Sequence, residues 1–141
     1  CSKIQKEIGF IAESRFRTRA TEVGLRTSTV DLDIHGYDFI VDNGSTLHKV
    51  QVKGSSKKQN DHRYKIICGQ GVSSKRKYSE DAFDYLVVVI FEDEEVFYVI
   101  PRSEIKTLTI NLYPHKKILQ KPYIAGKWEK YKDNNLKLLK G

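Results

Sequence analysis

The stretch GYDFIVDNGSTLHKVQVKGSS, residues 36–56, decides how the rest of the chain is read. Two strand-like runs, YDFIV (37–41) and TLHKVQVK (46–53), flank an Asn-Gly pair, which is a strong hairpin signal. Side chains alternate faces along a strand. Asp38, Ile40 and Asp42 therefore share one side of the first run, and Leu47, Lys49, Gln51 and Lys53 share one side of the second. Residues opposite each other in an antiparallel pair point the same way. A two-residue loop, Asn43 and Gly44, sets Asp38 opposite Lys49; a four-residue loop, 43–46, sets it opposite Gln51. Both bring Asp38, Gln51 and Lys53 to one face, and an odd-length loop separates them. The bland reading of Asp38 and Lys53 is a cross-strand salt bridge, worth little at a surface.

Working outward, KIQKEIGFIAESRFRTRATEVG (3–24) reads as a helix. Gly9, Ala12, Phe16, Ala20 and Val23 form one stripe at helical spacing, and Gly24 is placed to end it. Glu13 lies beside that stripe, which carries it toward the edge of the core. A carboxylate there needs a cation or hydrogen bonds. It is either a flank residue with a partner such as Lys53 or Arg17, or a member of a metal site. STVDLDI (28–34) is a short strand or an irregular approach to the hairpin. RYKIICGQ (63–70) reads as a third strand, and SEDAFD (79–84) as a short helix capped by Ser79. YLVVVIF (85–91) is a continuous apolar run, expected of a strand buried on both faces. EEVFYVI (94–100) pairs with it, and RSEIKTL (102–108) is expected to be a short helix. The pattern is one α/β domain over residues 1–141, a mixed central sheet flanked by helices. Residues 107–141 form a basic, aromatic extension assigned to oligomerisation or DNA contact.

With 141 residues the chain builds one core without disulfide staples. Its only cysteines, Cys1 and Cys68, have no metal-ligand spacing and are expected as free thiols in a reducing compartment. The first ten residues show no secretory apolar run and no span of about 20 apolar residues occurs. The expected setting is cytoplasmic, nucleoid-associated and non-secreted, without membrane contact. The net charge is +7 and unevenly spread. Lys53, Lys57, Lys58, Arg63, Lys65, Lys75, Arg76 and Lys77 face a single acid, Asp61, between residues 53 and 77. A second basic block begins at His115. Between them, EDAFDYLVVVIFEDEE (80–95) carries seven acids and no base. Solvated lysine loops are the plain reading. Two basic blocks with KKQNDHR, SSKRK and HKK at loop-like positions favour nucleic acid.

GFIAE on a first helix, YD leading a hairpin and a closing QVK together resemble the PD-(D/E)XK nuclease superfamily, which includes restriction endonucleases and archaeal Holliday junction resolvases. The resemblance covers about the first half of the chain. Tyr37 stands at the nominal proline, and Gln51 at the usual carboxylate. The Gln variant is similar to the group I intron-encoded homing endonucleases of cyanobacteria that adopt this fold. The resemblance implies a restriction-endonuclease-like α/β fold and site-specific hydrolysis of duplex DNA. It also implies Mg²⁺, for which Mn²⁺ substitutes, and a homo-oligomer, dimer at least and tetramer by preference. Glu13, Asp38, Gln51 and Lys53 would be catalytic. Asp38, the Val52 carbonyl, Glu13 and Gln51 would hold the metal, as suits a hard ion that takes oxygen ligands. A junction resolvase or restriction-type nuclease is the alternative on the same chemistry, and a DNA-binding module with a decayed site is a third reading.

Ser55, Ser56, Lys57 and Lys58 follow the QVK strand and are placed for DNA backbone. Arg63 and Lys65 are placed for a groove, since a two-stranded ribbon fits the major groove. Lys75, Arg76 and Lys77 complete the expected DNA contacts. His35, His48, His62 and His115 are scattered without ligand spacing. Asp31 and Asp33 lie off the hairpin, and GQGV is too short for a phosphate loop. Trp128 is expected in packing or oligomer contacts.

Overall fold

A computed structural model describes residues 3–31, 36–56, 63–70, 76–77, 82–92, 94–114 and 127–141. The elements run α1 (Lys3–Glu22), β1 (Arg26–Thr29), β2 (Phe39–Asp42), β3 (Leu47–Ser55), β4 (Tyr64–Ile67), β5 (Gly69–Gln70), β6 (Arg76–Lys77), β7 (Tyr85–Ile90), β8 (Val96–Pro101), β9 (Thr109–Leu112) and α2 (Lys137–Lys140). The main sheet has the order β1-β2-β3-β7-β8. The β3–β7 pair is parallel and the other three are antiparallel. This is the mixed sheet of the restriction-endonuclease-like α/β fold.

The hairpin takes the four-residue loop. Phe39 pairs with Val50 and Asp42 with Leu47. The Asn43 side chain explains the wider turn: its Oδ1 accepts the N–H groups of Ser45 and Thr46 at 2.9 and 2.8 Å. An Asn that closes its own loop in this way replaces the tight two-residue turn.

Two apolar layers sandwich the sheet. On one side Ala12, Phe16 and Ala20 of α1 are fully buried against Phe39, Val41, Val50, Val52, Val87, Val89, Leu136 and Leu139. The helix sits very close because Gly54 has no side chain: a Cβ there would lie 2.6 Å from the Ala12 Cβ. The helix ends where the stripe does. Gly24 adopts φ 91°, and Leu25 and Gly24 return N–H bonds to the carbonyls of Ala20 and Thr21, the double closure of a Schellman motif. On the other side Leu86, Val88 and Ile90 of β7 pack with Tyr64, Ile66, Ile110, Leu112 and Trp128. The apolar run of β7 thus feeds both layers, as its lack of alternation requires.

Several local expectations change. The first strand lies earlier than STVDLDI, at Arg26–Thr29, and residues 32–35 lie outside the described ones. RYKIICGQ divides into β4, which pairs with β9, and β5, which pairs with β6; neither joins the main sheet. Tyr64 and Ile66 are buried while Lys65 and Ile67 are exposed, a one-sided pattern that suits a covering ribbon. Of SEDAFD, residues 79–81 lie outside the described ones, and Ala82 and Phe83 are buried without helix. RSEIKTL yields one 3-10 turn, Arg102–Glu104, before Ile105 turns into the core. The described part of residues 107–141 is woven into both layers. Asp133 and the Asn134 side chain bond the Phe97 backbone at 2.8 and 2.9 Å, covering the outer edge of β8.

Candidate active site at the open edge of the hairpin

Strand β3 outruns β2. The pairing with β2 begins at Phe39 opposite Val50, whereas β3 continues to Ser55 along β7. The carbonyls of Lys49 and Ser55 accept bonds on the β7 side, from Asp84 and Phe91, and the Val50 carbonyl accepts from Asp38 on the β2 side. By this alternation the backbone groups of Val52 face the side that β2 has vacated. Asp38 fills the gap. Its Oδ2 accepts the Val52 N–H at 2.8 Å, and the residue is only 8% exposed. Gln51 extends its Nε2 to 3.5 Å from the Val52 carbonyl oxygen. A side-chain amide, a backbone carbonyl and a buried carboxylate therefore meet at one strand edge.

Parity holds across the hairpin. Phe39, Val50 and Val52 face α1. Gln51 and Lys53 pair with Leu86 and Val88, which face the ribbon layer, and the alternation sets Asp38 on their side. Cys68, buried in that layer, reports Lys53. Burial pushes the thiol up to about 11, and the positive charges of Lys53 and Arg102 pull in the opposite direction.

Glu13 belongs to the helix over the other face, and it is half-buried. At 3.6 residues per turn it projects on the same flank of α1 as Arg17, whose guanidinium lies 5.7 Å from the Phe39 ring. Arg15 projects on the opposite flank and pairs with Glu95. Ala12 seats at Gly54 and Phe16 at Phe39. Glu13 is thus carried at the level of the vacated edge, on the flank beside the start of β2. Among the described residues no three His, Cys, Asp or Glu side chains form a metal-sized cluster.

Ser55 ends β3 half-buried and Ser56 is exposed beyond it. Arg63 is half-buried and Lys65 points outward from β4. Arg76 and Lys77 form β6, while Lys57, Lys58 and Lys75 lie outside the described residues, as do His35, His62, His115 and Asp33. His48 packs edge-on against Tyr85 at 5.2 Å, and Trp128 is buried beside Tyr131. No described helix is long and apolar enough to cross a membrane.

Two features escape the sequence. Asp84 clamps the start of the parallel pair: its carboxylate accepts the Lys49 N–H at 2.8 Å and its own N–H bonds the Lys49 carbonyl. Glu129 is buried with Oε1 on the Tyr98 hydroxyl at 2.6 Å and Oε2 on the Tyr113 N–H at 2.9 Å. Nothing in the local sequence marks either acid, since the partners lie on remote strands.

Residues 4–133 match the PD-(D/E)XK endonuclease family. The chain belongs to that family. Among solved structures it is similar to the bacterial homing endonuclease I-Ssp6803I, at 26% identity over 95% of this chain and 92% of that chain, with a TM-score of 0.78. A weaker likeness, TM-score 0.47 at 12% identity, covers 78% of this chain and 93% of Hjc, a Holliday junction resolvase from Archaeoglobus fulgidus. No curated protein matches.

Proposed function

We propose that this protein is a site-specific DNA endonuclease of the intron-homing type, which hydrolyses phosphodiester bonds in duplex DNA at a divalent metal site. The observation that carries the reading is the Asp38 carboxylate locked on the Val52 N–H, at an edge shared with the Gln51 amide and the Val52 carbonyl. The Asp38 carboxylate, the Val52 carbonyl and the oxygen of the Gln51 amide are the ligand types that a hard ion takes. Bound there, Mg²⁺ or Mn²⁺ supplies a Lewis acid for the phosphate and lowers the pKa of water.

The chain's own residues do the rest. Asp38 provides the anionic oxygen. With an ion bound, a turn of the Gln51 amide would bring Oε1 rather than Nε2 beside the Val52 carbonyl. Glu13 contributes the second negative charge that Gln51 lacks. Lys53 orients the attacking water and stabilises charge on the phosphate. Ser55, Ser56, Lys57 and Lys58 hold the DNA backbone, Arg63 and Lys65 enter a groove, and Lys75, Arg76 and Lys77 complete the DNA contacts. A 141-residue domain offers little surface for a long target. Two or more copies, a tetramer by preference, cut both strands, with residues 107–141 contributing to assembly or DNA contact.

The likeness to I-Ssp6803I supports homing over other nuclease roles. The test is Mg²⁺-dependent cleavage of long duplexes against four-way junctions. Cutting at one rare duplex site supports the proposal. Cutting at crossovers makes the protein a resolvase, and tight binding without cutting makes it a DNA-binding module.

A further inference from the structure

The β4–β9 ribbon puts one face in the core and leaves the other outside it. Tyr64, Ile66, Ile110 and Leu112 are buried. The alternate residues form two outward cross-strand pairs, Lys65 with Asn111 and Ile67 with Thr109. Lys65, Ile67 and Thr109 are exposed and Asn111 is half-buried. Charge says what such a face suits. The stretches that build the ribbon, residues 63–70 and 105–112, contain Arg63, Lys65 and Lys106 and no acid. A positive surface of this kind is complementary to DNA phosphates. The ribbon also stands at the site. Strand β4 lies against β3, and the Lys53 charge acts on Cys68, the residue that follows β4. Spacing completes the case. A two-stranded antiparallel ribbon fits a major groove roughly 12 Å wide. Same-face residues lie about 6.8 Å apart along a strand, the length of two base-pair steps of about 3.4 Å.

We propose that the outward face of the β4–β9 ribbon reads base edges in the major groove, with Lys65 and Asn111 at one step and Ile67 and Thr109 two base pairs along. The proposal deepens the endonuclease function and rests on it. Lysine donates to O6 and N7 of guanine, and asparagine pairs with N6 and N7 of adenine, so the polar pair selects purines. The Ile67 side chain and the Thr109 methyl meet a thymine methyl. Asn111, Ile67 and Thr109 thereby determine specificity alongside the lysine.

The experiment lets the full chain cut a library of randomised duplexes with Mg²⁺, and sequencing of the cut ends gives a consensus for the parent and each variant. Asn111→Ala should lose selection at the purine step, and Ile67→Ala at the thymine two base pairs away, by roughly tenfold each. Every other position should be kept. Deoxyuridine in place of that thymine should weaken binding by the parent several-fold and leave Ile67→Ala indifferent. Thr109→Ser, which removes only a methyl, should reproduce part of that loss. An unchanged consensus in both alanine variants, from a parent that cuts a defined duplex sequence, overturns base reading alone. Uniform weakening on all sequences makes the ribbon a phosphate contact and overturns it too. Altered sedimentation of Ile67→Ala with an unchanged consensus makes the face a subunit contact instead. A parent that neither binds nor cuts duplex DNA removes the endonuclease function and this assignment with it.

Discussion

Asp38 and Glu129 are the buried acids among the described residues, each 8% exposed. Each accepts a backbone N–H beside a strand end, from Val52 at 2.8 Å and from Tyr113 at 2.9 Å. What surrounds the rest of the carboxylate separates them. Glu129 takes the Tyr98 hydroxyl on its other oxygen. It ties β8, the residue after β9 and the C-terminal segment into one packed layer with Trp128. Burial, then this bond, pushes the Tyr98 hydroxyl well above its ordinary range. Asp38 instead shares its edge with the Gln51 amide and the Val52 carbonyl, on the face that carries Lys53. Burying a carboxylate costs solvation in both places. Around Glu129 the Tyr98 hydroxyl and the Tyr113 N–H offset it; at Asp38 the Val52 N–H does so, and under the proposed function the same edge would also hold a cation. If Asp38 serves the proposed metal site and Glu129 the packing of the layer, the two acids should separate cleanly under mutation.

The largest expected effect is on cleavage by Asp38→Asn. The amide oxygen still accepts the Val52 N–H, so melting should change little, while the loss of the anionic oxygen should slow cutting on the order of 10³-fold or more. Lys53→Ala should cost about 10²- to 10³-fold in cleavage, with duplex binding largely kept, because one lysine among many adds little affinity. Glu129→Gln reverses the pattern. Urea or thermal melting should show a loss of about 1–3 kcal/mol, and the folded fraction should still cut. If Glu129→Gln abolished cutting without loss of stability, the division between the two acids would fail.

Gln51 sharpens the same contrast. Gln51→Ala should lose activity heavily, while Gln51→Glu should remain active with altered metal dependence. A third carboxylate near Asp38 and Glu13 raises the cost of an empty site and can lift a carboxylate pKa. The smallest effect is alkaline. The Cys68 thiol is raised from 9.0 to about 11 and the Tyr64 and Tyr98 hydroxyls above 10.0, all chiefly by burial. A raised folded pKa favours the fold fully below the unfolded value and loses that advantage as pH rises through the folded one. Stability should therefore be insensitive to these groups below pH 9 and decline above it. Melting scans across that window check it, and a flat profile to pH 11 would show that these groups are not held protonated.

The hairpin edge is legible in the sequence because its information is local. Alternation and an even loop length are enough to put Asp38, Gln51 and Lys53 on one face, and Asn43 chooses between the two allowed registers. The buried run of β7 and the stripe of α1 are legible for the same reason: each follows one period. The ribbon layer is not. Whether RYKIICGQ joins the main sheet depends on β9, more than forty residues away, and on β7 taking the place beside β3. Glu129 lies in the basic, aromatic extension and Asp84 in an acidic run, and only their remote partners reveal them. Local pattern puts Asp84 at the end of a helix, yet its carboxylate is spent on the Lys49 backbone. Glu13 falls between these cases. Helical spacing puts it beside the stripe, but its level along β3 depends on Gly54, whose role emerges only when helix and strand meet.

The most direct test of the central claim is a calorimetric titration of Mn²⁺ into the full chain and two variants, without DNA. The parent and Glu129→Gln should bind the ion alike, and Asp38→Asn should lose that binding while melting at the parent temperature. Equal Mn²⁺ binding by the parent and Asp38→Asn would contradict the account, because the open edge at Val52 would then not be the metal site.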